Sequence, residues 1–422
     1  MTLPPITPPK APLHGIRVLD LSRVLAGPWA GQTLADLGAE VIKVERPGTG
    51  DDTRAWGPPF LPDAQNPAHR GESAYYLAAN RGKKSITIDF AKPAGQALIQ
   101  RLAAQSDILL ENFKLGGLAK LGLGFAQLHA LNPRLIYASI TGFGQTGPYA
   151  ARAGYDFLMQ GMGGLMSLTG EPTGEPMKVG VAVTDVFTGM YTTTAILAAL
   201  HERHSSGLGQ HIDIALFDVQ IATLANQISS YLVSGAQPPR HGNAHPSIVP
   251  YQVFKTADGY AILAIGNDEQ FRRFCAIADA SELAQNPAYA SNPARVQHRD
   301  ILVPLLQAIM QTRSTAVWIS QLEPASVPCG PINQLPDLDT NEQIAARGIF
   351  KTIPHPSGGT LPNGTMPGGT MRTVASPMRF SRSATHDNTA PPQLGQHTRD
   401  ILINTLNATE TELAAWQHDG II

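Results

Sequence analysis

The stretch Ile16-Arg17-Val18-Leu19-Asp20-Leu21, followed by Ala26-Gly27-Pro28 and a helical run from Trp29 to Leu37, decides the fold. Gly38 closes the run, and Glu40-Val41-Ile42-Lys43-Val44-Glu45 is a second apolar stretch. The short apolar segments read as strands. Pro28 fits the first turn of a helix, where a missing N–H costs nothing. Strand, helix and strand at this spacing form a crossover unit, which requires the two strands to be parallel.

The same alternation continues outward. Strands are expected at 85–89, 107–110 and 134–140, with helices at 94–104 and 125–131. Helices dominate from 150 to 235. One is expected from Asp185 to His204 and another from Asp218 to Ser234, with a strand at His211–Ala215 between them. Gln237 to Pro250 reads as a polar linker. Past it, Tyr251–Lys255 and Tyr260–Ile265 flank Asp258-Gly259, a strong hairpin signal. Helices follow near 268–279, 299–312 and 314–323. Strands near 349–354 and 370–380 enclose a loop at Gly358–Met371, and two helices near 397–406 and 409–418 pack back on the first domain. The fold class is therefore α/β. We expect a Rossmann-like doubly wound large domain over residues 1–235, a smaller α+β domain over 250–345, and a return segment over 346–422 that completes the large domain.

Composition narrows the function. The 422 residues carry 31 Lys+Arg against 33 Asp+Glu, a formal net charge of −2, which offers no basic stripe for nucleic acid or an anionic membrane. Two cysteines, Cys275 and Cys329, cannot build a disulfide framework or a thiolate zinc site. The first residues lack the apolar core of a signal peptide, and the most apolar later stretch, Met190 to Leu200, is shorter than a membrane span. A cytoplasmic location is expected. No GxxxxGK[ST], GxSxG or HExxH occurs, and Gly161-Met162-Gly163-Gly164 does not follow a first strand as a dinucleotide fingerprint would. His241 and His245 lie four apart but in a Gly/Pro-rich loop that no helix holds rigid, so no metal site is expected.

One residue attracts attention on physical grounds. Asp185 is the sole charge between Val179 and Tyr191, just ahead of an apolar helix. An aspartate there is a good helix cap, and equally a carboxylate held ready for chemistry.

Several phrases together carry a resemblance. They are Val18-Leu19-Asp20-Leu21-Ser22-Arg23-Val24-Leu25-Ala26-Gly27-Pro28, Leu37 to Pro47, Asn80-Arg81-Gly82-Lys83-Lys84-Ser85, Glu111-Asn112-Phe113, Ser139 to Gly144, Gly154-Tyr155-Asp156 and Thr184-Asp185-Val186-Phe187-Thr188-Gly189. Gly207-Leu208-Gly209-Gln210, Pro328-Cys329-Gly330-Pro331-Ile332 and Leu394-Gly395-Gln396-His397-Thr398 extend them. As a set they resemble the family III (CaiB/BaiF, formyl-CoA transferase-like) CoA-transferases over nearly the whole chain. The resemblance implies that Asp185 is the catalytic nucleophile and that CoA is a substrate moiety, with no tightly bound cofactor. It implies CoA contacts at Val24, Leu25, Ala26, Arg46, Lys83, Asn112, Phe113 and Lys120, and an interlocked homodimer.

The segments 247–252, 254–256, 258–260, 266–267 and 330–333 look most like the succinyl-CoA:glutarate (hydroxymethylglutarate) branch. That branch implies succinyl-CoA as donor and a short dicarboxylate as acceptor. Tyr155, Arg240, His241 and His245 are then candidates for holding the acid. Gly242-Asn243-Ala244-His245 stands where some relatives carry a mobile glycine-rich loop, and Thr141 stands where formyl-CoA transferases have lysine. The α-methylacyl-CoA racemases of the same fold family are the alternative. They use a His–Asp pair where this chain has Tyr155-Asp156, and tyrosine is too weak an acid for the histidine's role near neutral pH.

Overall fold

Six parallel strands form the central sheet in the order Lys84–Thr87, Glu40–Glu45, Arg17–Asp20, Ile108–Glu111, Ile136–Thr141, His211–Ala215. Numbered along the sheet's own sequence this is 3-2-1-4-5-6, the doubly wound order. It reverses direction between the first strand and Ile108–Glu111, which opens a crevice beyond their carboxyl ends. The computed structural model describes residues 10–62, 70–356 and 369–422. Most of the Gly358–Met371 loop expected from the sequence lies outside them.

Alternation along the strands builds the two sides of the sheet. Val18, Val41, Ile108, Leu110, Ile136 and Ala138 join one core with Leu34 of the helix Ala26–Asp36 and Ile196 and Leu200 of the helix Val183–Ser206. Leu19, Ile42, Leu109 and Tyr137 face the other side, where Leu402, Leu406 and Leu413 of the C-terminal helices Thr398–Leu406 and Glu410–His418 cover them. Fully burying each such side chain contributes about 1.5–3 kcal/mol. The C-terminal return is also tied by hydrogen bonds, Asp89 N–H to the Ile421 carbonyl at 2.7 Å and Thr87 N–H to Thr398 Oγ1 at 2.9 Å.

The chain divides into two compact units. The first comprises Met1–Gly164, Val179–Ile228 and Ala345–Ile422; the second comprises Leu165–Lys178 and Ser229–Ile344. The second has a three-stranded antiparallel sheet, Cys329–Pro331, Tyr260–Ala264, Tyr251–Lys255, over a core that includes Phe254, Phe271, Phe274 and Trp318. Residues 165–178 group with this second unit, although the sequence reading kept them in the large domain. They hold no regular element beyond the turn Leu165–Ser167, so periodicity gives them no address.

One helical expectation changes. The run from Asp218 to Ser234 is two helices, Leu216–Ala222 and Ala225–Ser234, broken where Ala225 takes a left-handed φ of +48°. No Gly or Pro marks the break, so composition could not signal it. The apolar stretch Met190–Leu200 belongs to a 24-residue helix, Val183–Ser206, which length and composition alone would allow to cross a membrane. In this fold it packs along the helix Ala26–Asp36 and the strands Ile136–Thr141 and His211–Ala215. Gly189 permits that approach: a Cβ there would stand 2.8 Å from the Ala26 carbonyl oxygen and 3.0 Å from the Trp29 ring.

Candidate active site

The crevice at the point of strand reversal is where the candidate residues gather. Three consecutive residues after the first strand, Arg23, Val24 and Leu25, form one wall, followed by Ala26 at the start of the first helix. Asn112, Phe113 and Lys114, after the strand Ile108–Glu111, form a second wall. Thr141, Gly142, Arg152, Tyr155 and Leu216 complete a cleft of about 990 Å³ including its open mouth, and Asp185 faces into it. A neighbouring hollow of about 630 Å³ shares Arg23, Asp52 and Phe113 and adds Arg46 and Phe90.

Asp185 reaches the cleft because it sits in the first turn of the helix Val183–Ser206. No side chain from the helix's own N-cap residue serves its first amides. Asp156, from the helix Asp156–Met162, does so instead: its Oδ1 accepts from Thr184 N–H at 2.8 Å and from Asp185 N–H at 3.4 Å. Gln160 donates to Asp156 Oδ2 at 2.7 Å, and Thr184 Oγ1 donates to buried Gln220 at 2.6 Å. The half-buried Asp185 carboxyl therefore lies beside a second carboxylate. Burial first, and the charge of Asp156 second, push its pKa up from 3.8 to about 7. Tyr75, in edge contact with Trp56 at 5.2 Å, feels the same charges, its hydroxyl being pushed up by burial and by Asp185 and Asp156.

Cations flank the cleft. Arg23 pairs with Asp52 at 3.1 Å and lies 5.3 Å from the centre of the Phe113 ring. Arg152 lies over Tyr149 at 4.6 Å and Phe143 at 5.2 Å. A guanidinium on an aromatic face keeps its charge while presenting donors to an anion.

Of the residues named from sequence, Val24, Leu25, Ala26, Asn112, Phe113, Tyr155 and Asp185 line one cleft, and Arg46 lines the adjoining hollow. Lys83 requires correction. Its side chain is fully buried, with Nζ held by Asp20 at 2.9 Å and Asn80 at 3.0 Å, so its charge is spent inside the protein and it stands in neither hollow. Lys120 is exposed on the short turn Ala119–Leu121 and lines neither hollow. Arg240, His241 and His245 belong to the second unit. There Arg240 donates to the main-chain carbonyls of Glu171, Pro172 and Gly174, and Arg299 donates to those of His245 and Pro246. Gly242 N–H is bound to the Gly170 carbonyl at 3.1 Å. Sequence reasoning missed Arg23, Lys114, Arg152 and Asp156. Arg23 and Asp156 stood inside quoted phrases, but nothing in a linear string says that they converge. Among the described residues no cluster of His, Cys, Asp or Glu could hold a metal ion.

A doubly wound sheet that gathers a carboxyl of raised pKa and two guanidiniums at its switch point has the layout of a ligand-binding crevice with room for an anion. The comparisons narrow that reading. The profile of CoA-transferase family III matches residues 13–398, and the chain belongs to that family as a CoA-transferase. It is 51% identical over 409 residues to a succinate–glutarate CoA-transferase of Agrobacterium fabrum, covering 95% of this chain and 98% of the relative. It is 41% identical to the human succinyl-CoA:glutarate CoA-transferase, covering 97% of this chain and 90% of that one. Among solved structures, a CaiB/BaiF family protein from Brucella suis superposes with a TM-score of 0.82 at 48% identity, covering 94% of this chain and all of the other.

Proposed function

We propose that the enzyme transfers CoA from succinyl-CoA to glutarate or a dicarboxylate of similar length, through a thioester formed on Asp185. The observation that carries this reading is the Asp185 carboxylate, made basic by burial and by Asp156, facing the cleft at the switch point. The identities of 51% and 41% to glutarate-using relatives support the acid.

The steps follow from what a carboxylate can do to a thioester. Asp185 attacks the succinyl carbonyl carbon, and the C–S bond breaks with the electron pair leaving on the CoA sulfur. The product is a mixed anhydride between succinate and the aspartyl side chain. The thiolate then attacks the aspartyl carbonyl, and succinate departs with the electron pair of the broken C–O bond. Glutarate repeats these two steps in reverse order and leaves as glutaryl-CoA. One thioester is exchanged for another, so no nucleotide hydrolysis is needed. Raising the basicity of Asp185 strengthens a weak nucleophile, and a pKa of about 7 still leaves roughly half of it ionised at neutral pH. Leu25, the N-cap residue of the helix Ala26–Asp36, makes no side-chain cap hydrogen bond, and the first turn carries no acidic residue. The helix start thus has main-chain donors for the oxyanions that form.

Arg23, Arg46, Asn112 and Phe113 are the proposed contacts of the CoA moiety. Arg152 takes the place first given to Arg240 as the cation for the acid's second carboxylate, because Arg240's hydrogen bonds go to main-chain oxygens. We also assign a homodimer. Phe187, Met190 and Tyr191 are 46, 41 and 46% exposed along one stretch of the long helix, apolar surface of the sort a subunit interface covers.

The test is incubation with succinyl-CoA alone, followed by intact-mass measurement and peptide mapping. A covalent CoA adduct on Asp185 is expected. Turnover without any modification of Asp185 would refute the mechanism, and light scattering at 45 kDa rather than about twice that mass would refute the dimer.

A further inference from the structure

Val24 has a backbone φ of +71°. A β-branched residue in the left-handed region is strained, and such strain persists only where the surroundings over-determine it. Here they do. Ser22 N–H donates to Asp20 Oδ1 at 3.0 Å, and the Ser22 carbonyl accepts from Lys43 Nζ at 2.9 Å. Arg23 N–H donates to Asn112 Oδ1 at 2.9 Å, while Asn112 Nδ2 donates to the Arg23 carbonyl at 2.7 Å. Val24 N–H is shared between Asp51 Oδ1 and Oδ2, at 3.3 Å each. Five successive main-chain groups are thus held by four side chains.

Two of these side chains come from, or just after, the strands that flank the reversal, and a third comes from the neighbouring strand. Asp20 ends the first strand, Lys43 lies on the second, and Asn112 follows Ile108–Glu111. Asp51 is itself fixed. It accepts from Lys43 Nζ at 2.8 Å, from Thr53 N–H at 3.0 Å and from Thr53 Oγ1 at 2.8 Å, and its own N–H donates to Glu45 Oε2 at 2.9 Å. The Lys43 and Asp51 side chains are fully buried. A buried ion pair is a poor way to gain stability, since an apolar pair of similar volume often does as well. What the pair does here is geometric. It grips the loop on both sides of Arg23, at the Ser22 carbonyl and the Val24 amide.

We propose that Lys43 and Asp51 are a positioning pair for the acyl-CoA: by holding Val24 in the left-handed conformation they set how Leu25 and Ala26 enter the cleft that Asp185 faces. The chain would otherwise relax at Val24 to negative φ and turn the start of the helix Ala26–Asp36 away from the bound thioester. This inference rests on the reading of that cleft as the acyl-CoA site.

The experiment compares two substitutions at one position that leave the Lys43 and Asp51 side chains themselves in place. Glycine occupies positive φ freely, whereas proline is locked near −65°. Val24→Gly loses the side chain but keeps positive φ accessible, and is expected to retain at least about thirtyfold more kcat/KM for succinyl-CoA than Val24→Pro. Val24→Pro is expected to lose at least a hundredfold while retaining the parent's circular dichroism and cooperative thermal unfolding. In the second arm, Asp51→Asn is expected to lower kcat about tenfold with KM for glutarate unchanged, and Val24→Gly in that background to restore most of the loss. A purely structural ion pair would not be rescued by a glycine in the cleft. Full activity of Val24→Pro, or no recovery in the double variant, overturns the proposal. If Val24→Pro does not fold, the Asp51 arm decides it alone. Asp185→Asn, run in parallel, separates the two readings. Its retention of turnover would sink the cleft assignment, whereas its inactivity beside a fully active Val24→Pro would sink only the positioning pair.

Discussion

Replacing Asp185 by asparagine should abolish turnover and, at alkaline pH, stabilise the protein. The carboxyl titrates near 3.8 in the unfolded chain and at about 7 in the folded one. The folded state therefore holds a proton that the unfolded state has released across that window. Stability falls as pH rises from about 4 and levels off above about 7. The full difference corresponds to about 4 kcal/mol at 1.36 kcal/mol per pH unit. Because the side chain opens onto a solvent-filled cleft, we halve this to about 2 kcal/mol for solvent screening. For a chain of this length that is a rise in melting temperature of about 2 °C. Asparagine does not titrate, so the difference between variant and parent should be absent near pH 4, grow through pH 5 and 6, and reach its plateau by pH 8. Differential scanning calorimetry at those pH values, with turnover assayed on the same preparations, measures both halves. Any constant offset from altered packing cancels in the pH dependence. A difference that does not vary between pH 4 and 8 would refute the claim that the fold holds this carboxyl in its protonated form.

The remaining predictions concern its surroundings. Turnover by the parent should rise with pH through about 7, following the ionised fraction of Asp185, and Asp156→Asn should move that limb down by about one pH unit, because asparagine keeps an acceptor for Thr184 N–H but loses the charge. A pH–rate profile in which the two proteins coincide would deny Asp156 this role. Phe113→Ala and Arg46→Ala should each raise KM for succinyl-CoA about tenfold with little change in kcat, a loss of about 1.4 kcal/mol of uniform binding that steady-state kinetics at fixed ionic strength can read. Lys83→Met should lower stability to urea by about 3 kcal/mol, since it leaves Asp20 buried without its partner. The same variant, assayed below its unfolding range, should keep the parent's KM, and a large rise would restore Lys83 as a CoA contact.

Much of the fold was legible in the chain. Strands such as Glu40–Glu45 and His211–Ala215, and the helix Phe125–Leu131, fall where their patterns predict, because an apolar run bounded by Gly, Pro or charge has few ways to be buried. Asp185 was conspicuous as a lone carboxylate at the head of an apolar helix, but taken alone it reads as a helix cap; only the motif around it made it the nucleophile candidate. Val24, Leu25, Ala26, Asn112 and Phe113 were reached through the motifs that bear them.

The sequence by itself determined which residues carry charge and where the backbone alternates between strand and helix, and through its motifs it singled out Asp185 as the candidate carboxylate. Only the tertiary structure decided where those charges are used. Lys83 and Lys43 are ordinary lysines on paper, yet the parallel sheet draws both into its interior, where Asp20 and Asp51 neutralise them. Arg240 is spent on carbonyl oxygens, while Arg23, paired with Asp52, and Arg152 line the cleft. Asp156 and Asp185 lie 29 residues apart, and nothing local couples them; packing one helix start against another does. The reason is that side-chain chemistry is fixed by covalent structure, whereas desolvation and the distance between charges depend on which surfaces meet when the chain closes on itself.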